Sequence, residues 1–251
     1  MKASIKIASI FALIFCLFSA CRNEEKQQNT VTIPAVSTHV DTAGVKAEPK
    51  ARLENPQPDF PTSGNKIEDL IPQYFEVDLE ASGDLNHDGL EDKVLVLINT
   101  RDTSALRPTL VIFKIGNAYS VNAKSFTVIE PKYREDGYLN YDFEDVSIDK
   151  NGQLVFTQQS TGPNGSLEST FKYINNELVL ININSFAMGA GGQTALKLDL
   201  FKGVFEQTDI NTMEEDMPSK TTTKKYKLPK VLFADGDPRE IMIKAFNTNG
   251  E

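Results

Sequence analysis

The sequence predicts an all-β domain: an antiparallel sandwich-like pair of sheets, or one strongly curled sheet, closed by a short C-terminal helix. After Lys66 the apolar residues fall in short runs, many of them alternating, and runs of that kind read as strands. Turn residues separate them at Gly116-Asn117, Asn151-Gly152, Asn175-Asn176 and Lys202-Gly203. A helical period is almost absent until the last fifteen or so residues.

Taken in order, a helical turn is predicted at 67–71, then strands at 75–80 and 93–99 around a polar loop. Runs at 109–115 and 119–129 flank Gly116-Asn117, and 146–149 and 153–158 flank Asn151-Gly152, the strongest short hairpin signal in the chain. Further pairs are 169–174 with 178–183, and 194–200 with 204–209. Asp237 is placed to cap the final helix, Pro238 to occupy its first position, and Ile241, Ile243 and Phe246 to form its apolar side. Gly189-Ala190-Gly191-Gly192 lacks the Lys-Ser/Thr of a phosphate cradle and reads as a loop between strands.

The chain has 251 residues, 26 basic and 35 acidic, for a formal charge of −9. Phosphate backbones are bound by clustered Lys and Arg, so nucleic acid is excluded as the main partner. Three segments follow: a signal at 1–20, a disordered tether at 21–65 and a folded domain at 66–251. Lys2 and Lys6 precede an apolar run that ends in Ser19-Ala20, a secretory signal. The tether carries Pro34, Pro49, Pro56, Pro58 and Pro61 among polar residues, and its length corresponds to an r.m.s. span of roughly 40 Å. His39 lies in it with only Asp41 nearby and reads as spacer.

One motif carries chemistry. Asp84-Leu85-Asn86-His87-Asp88-Gly89-Leu90-Glu91-Asp92 sets oxygen donors at its first, third, fifth and ninth positions, with Gly at the sixth. Ca²⁺ takes six to eight hard oxygens, and a tight loop supplies them from alternate side chains plus a carbonyl, here that of Leu90. The ligand set read from the spacing is therefore Asp84, Asn86, Asp88, Leu90 and Asp92, with His87 turned to solvent. Position 12 is Leu95, within a predicted strand, where an EF-hand needs a bidentate Glu. The ion would act as a structural clip on a hairpin. With one His and no Cys after Lys66, the chain supplies no His- or Cys-based triad, and it is read as a binding protein with no catalytic residues.

Resemblances extend this reading. The run Leu17-Phe18-Ser19-Ala20-Cys21 resembles a bacterial lipobox, with Phe18 where Leu is usual. It implies that Cys21 is acylated and that the domain is lipid-anchored to the outer membrane of the cell envelope; Glu24 and Glu25 resemble a surface-export signal. The strand, loop and strand around Asp84 to Asp92 resemble the calcium hairpins of FG-GAP and VCBS proteins. From Phe75 onward, the order of Gly83-Asp84-Leu85-Asn86, Arg107-Pro108-Thr109-Leu110, Asp142-Phe143-Glu144-Asp145-Val146 and the late segments 225–230 and 233–238 is similar to a group of bacterial secreted proteins and lipoproteins with one calcium loop. Some of these are similar to periplasmic inhibitors of invertebrate-type lysozyme, whose Ser-Gly insertion loop has no counterpart here.

The partners implied are a membrane, through the lipid, and a basic protein such as a lysozyme, drawn by opposite charge. Glu130, Glu135, Asp136, Asp142, Glu144 and Asp145 form one acidic stretch and Glu214, Glu215 and Asp216 another, each a solvated face or a docking surface. The alternative is a carbohydrate- or matrix-binding module, which needs exposed aromatics such as Tyr138, Tyr141 and Phe143; a third reading, ranked below both, is a hydrolase, which needs paired carboxylates outside Asp84 to Asp92.

Overall fold

A computed structural model describes residues 59–162 and 165–250. The signal, Cys21 and the tether as far as residue 58 lie outside the described residues. The fold is all-β, two antiparallel sheets and one short helix. Strands β1 (Ser63–Gly64), β2 (Phe75–Gly83), β3 (Asp92–Asn99), β4 (Thr109–Ile115) and β5 (Ala118–Ser125) form a five-stranded sheet in the order β1-β5-β4-β3-β2. Strands β6 (Phe143–Ile148), β7 (Gln153–Gln159), β8 (Ser166–Ile174), β9 (Glu177–Gly189), β10 (Gly192–Asp199), β11 (Val204–Asn211) and β12 (Ser219–Lys225) form a seven-stranded meander. Helix α1 (Pro238–Asn249) follows. Among the described residues no helix is long and apolar enough to cross a membrane.

Two apolar clusters explain the layering. Val94, Val96 and Val111 of the smaller sheet meet Leu154, Phe156, Phe171, Ile183, Leu198 and Phe205 of the larger one. The intervening Leu95 and Leu97, with Leu110 and Ile112, point the other way and pack on Phe60, Leu70, Ile67 and Phe75. β3 and β4 are therefore buried on both faces, which is why Lys93 to Asn99 reads as a nearly unbroken apolar run. The folded part begins before Lys66, because Phe60 is buried and Ser63–Gly64 pairs with Tyr119 and Ser120 of β5.

The seven-stranded sheet is the wider one, and α1 packs over β9 and β10 through Met242 and Ala245. Asp237 Oδ1 caps it by accepting from the Glu240 amide at 2.9 Å, as predicted. The predicted apolar side needs correction. Pro238, Ile241, Met242 and Ala245 share the inward face at three- and four-residue spacing, whereas Ile243 and Phe246 are exposed.

Other boundaries shift for identifiable reasons. β5 stops at Ser125, and residues 126–129, predicted as strand, cross between the sheets with Val128 and Ile129 buried in the core. β12, a polar edge strand rich in Thr and Lys, carries no apolar alternation to announce it. Asn175 and Asn176 both have positive φ, matching the two-residue turn they suggest. The Asn151-Gly152 hairpin instead has a three-residue loop: Gly152 donates to the Asp149 carbonyl at 3.0 Å with φ +67°, while Asn151 keeps a negative φ.

The sheets are also tied by charge. Arg107, with no exposed surface, donates from Nη1 to Asp78 Oδ2 at 2.8 Å, to both oxygens of Glu144, and from Nε to the Glu130 carbonyl at 2.7 Å. Asp78 is the extra residue of a bulge between Val77 and Leu79 in β2; a bulge re-aims a side chain, and here Asp78 meets Arg107 and Lys132. Gln158 Nε2 donates to Glu144 Oε1 at 2.9 Å, so strands of both sheets share the cluster. Replacing Arg107 with Leu would leave two nearly buried carboxylates without their main counter-charge; urea unfolding should show a loss of about 3–5 kcal/mol.

Candidate metal centre

The predicted loop joins β2 to β3, and backbone geometry explains its shape. His87 (φ +62°) and Gly89 (φ +83°) both take left-handed conformations, which Asx-type bonds from the flanking acids hold in place. Asp84 accepts from the amides of Asp88 and Gly89 at 3.1 and 2.9 Å. Asn86 Oδ1 accepts from the Asp88 amide at 3.0 Å, and Asp88 Oδ1 from the Leu90 amide at 2.8 Å. Asn86 Nδ2 also donates to Asp88 Oδ2 at 3.0 Å. The alternate residues of the motif thus fold the loop around themselves.

Asp92 differs from the others. It has no exposed surface, and its two oxygens accept from the amides of Leu85 at 3.1 Å and Lys114 at 3.2 Å. It therefore joins the loop, β3 and β4 at one point. No Lys or Arg among the described residues forms an ion pair with it. Burial pushes its carboxyl above the usual carboxylate range, the two amide bonds oppose that rise, and the nearby charges of Asp88 and Asp84 add to it.

Every predicted side-chain donor is a hard oxygen, the chemistry Ca²⁺ prefers. As the loop stands, these oxygens are turned onto its own amides: no group of three or more Asp, Glu, His or Cys side chains among the described residues is gathered as a metal's ligands. Donor chemistry and the buried Asp92 fit an ion; the convergence of the side chains is not present. Leu90 sits on the exposed side of the loop.

His87 needs a correction in detail. It is exposed, as predicted, yet its ring lies over the turn between β6 and β7, where a Cβ on Gly152 would stand 2.8 Å from His87 Cε1. A Cβ on Gly83 would stand 2.7 Å from Ile148 Cγ2, so the base of the loop packs against the same hairpin. Sequence spacing had no means of reporting this contact between distant hairpins.

The acidic stretch is mostly engaged internally. Glu144 pairs with Arg107, Asp136 with Arg134, and Glu130 with Arg239 at 3.2 Å. Asp142 Oδ2 accepts from the amide and hydroxyl of Thr161, which hold its carboxyl below the usual range. Glu135 and Asp145 remain exposed. Of the aromatics considered for glycan contact, Tyr138 is 71 % exposed and Phe143 is 53 % exposed. Tyr141 is buried: its hydroxyl meets Glu130 and accepts from Arg239 Nη1 at 2.8 Å, and burial with the Glu130 contact raises its pKa.

A feature that motif reading passed over is an open groove of about 440 Å³ on the outer face of the seven-stranded sheet, lined by β7 to β11. Its polar residues alternate with core residues along each strand, a pattern indistinguishable in sequence from any solvated sheet face.

Comparison with known proteins finds no matching family model, no matching curated protein and no matching solved structure.

Two glycine substitutions test the loop's setting. Gly89→Ala meets open space and should cost about 1–2 kcal/mol from its positive φ alone. Gly152→Ala has the same backbone handicap and also crowds His87 and the Asp84 carbonyl, so denaturant melts should rank it the more destabilising.

Proposed function

We propose that this chain is a non-catalytic binding protein of the bacterial cell envelope, anchored to the outer membrane by lipid on Cys21 and clipped by one structural Ca²⁺. The observation that carries the calcium reading is Asp92, a fully buried carboxylate with amide partners and, among the described residues, no cationic one. Buried charges are paired or coordinate metals, and the Asp84, Asn86 and Asp88 oxygens, with the Leu90 carbonyl, supply the rest of a hard donor set. When bound, the ion supplies the positive charge that the loop lacks. The residues themselves join the loop, β3 and β4. The lipid anchor rests on the likeness of Leu17-Phe18-Ser19-Ala20-Cys21 to a lipobox.

The net charge of −9 supports a basic partner, and inhibition of a cell-wall hydrolase such as a lysozyme is the concrete version of that reading. Against a docking role for the acidic stretch stands the fact that Glu130, Asp136, Asp142 and Glu144 are held by partners of their own. One observation favours a second reading, a glycan-binding surface: the open groove on the larger sheet.

Calcium at ten times its Kd should stabilise the protein by about 1.4 kcal/mol, which raises Tm by roughly 3–6 °C for a domain of this size. Thermal melts with Ca²⁺ and with chelator measure the difference. The Asp84→Ala and Asp88→Ala variants should lose it, and an unchanged Tm in the wild type would remove the calcium clip.

A further inference from the structure

We propose that the outer face of the seven-stranded sheet is a binding groove for an uncharged oligosaccharide, a proposal that rests on the reading of the chain as a non-catalytic binding protein. The strand register builds the floor in two rows. Thr157, Glu168, Asn184, Lys197 and Glu206 are successive cross-strand partners from β7 to β11. The adjacent row is Gln159, Ser166, Phe186, Ala195 and Thr208. Five strands at about 4.8 Å spacing make a floor roughly 19 Å across, long enough for a chain of several pyranose rings.

The side chains on that floor have hydrogen-bonding capacity to spare. Asn184 Nδ2 donates to Glu168 Oε1 at 2.9 Å and orients that carboxylate. The side chains of Gln159, Lys197 and Glu206 form no hydrogen bond or ion pair among the described residues, although Lys197 and Glu206 are direct partners across β10 and β11. Asn182, on the same face of β9 as Asn184, has a buried Oδ1 with no hydrogen-bond partner. Phe186 lies between Ser166 and Ala195, whose short side chains leave room beside its ring.

This chemistry selects among ligands. Carboxylates, amides and an ammonium, interleaved, match the donor and acceptor hydroxyls of a sugar, and an aromatic ring suits its C–H face. Two carboxylates against one ammonium disfavour a phosphorylated, sulfated or uronate polymer. An added peptide strand needs a free sheet edge, whereas the main chain under this groove is paired across five strands. Glu168 and Glu206 stand three strands apart, roughly 14 Å between backbones, and Glu168 is held by Asn184; both serve here as hydrogen-bond acceptors.

The test is a calorimetric titration of the full-length protein with tetramers of N-acetylglucosamine, cellobiose-type glucan, maltose-type glucan and xylan, in excess Ca²⁺ and again in chelator. At least one tetramer should bind saturably with no reducing ends released, and Lys197→Ala and Glu206→Gln should each weaken it roughly tenfold or more at unchanged Tm. No binding by any tetramer, binding indifferent to both substitutions, or retention of a basic protein such as a lysozyme alone would overturn the proposal. Sugar binding in a protein whose Tm ignores Ca²⁺ would remove the calcium clip and leave the groove standing; a calcium-dependent Tm without sugar binding would do the reverse.

Discussion

Taking a charge out of water costs several kcal/mol per ion unless a counter-charge accompanies it, and this domain sets that requirement twice. Arg107 and Asp92 have no exposed surface. Arg107 meets it within the chain, through Asp78 on a bulge of β2 and Glu144 on β6, and those contacts fix how one sheet lies against the other. Asp92 meets it only in part, with two amides that join the loop, β3 and β4. The proposed Ca²⁺ supplies what is missing there. A similar physical demand thus shapes the joint between the sheets and the loop at the end of one hairpin.

The two sheets differ in width, and the rest of the chain is disposed around that difference. The segment from Phe60 to Phe75 covers the outer face of the smaller sheet, and α1 packs over β9 and β10 of the larger one. Arg239 of α1 reaches Glu130 and Tyr141 on the crossover between the sheets, and Thr127 donates to the Gly236 carbonyl at 2.7 Å. What remains uncovered is the outer face of the larger sheet, where polar side chains replace apolar ones along β7 to β11. A binding surface on that face places no demand on the core.

Much of this architecture was legible in the sequence because alternation and turn chemistry are local. The hairpins, the Asp237 cap and the Asn175-Asn176 turn all follow from residues a few positions apart. Length was harder to read: β8 and β9 extend to Ser166 and Gly189 because Glu168, Asn182 and Asn184 occupy the solvated face and dilute the apolar signal. The Arg107 cluster was hidden, since Arg107 reaches a partner as far as 37 positions away and Asp78 joins it only through a bulge. The oxygen pattern of the loop was visible; that Asp92 is its buried member, and that His87 leans on Gly152, required the third dimension.

The most direct test of the central claim is calorimetric titration of the chelator-treated protein with Ca²⁺, comparing wild type with Asp92→Asn. The account predicts a single Ca²⁺ site per chain in the wild type, filled far more readily than by Mg²⁺, which demands a near-ideal octahedral site, and no measurable site once the buried carboxylate is an amide. Titration without heat in the wild type, or an unaltered isotherm in Asp92→Asn, would contradict it.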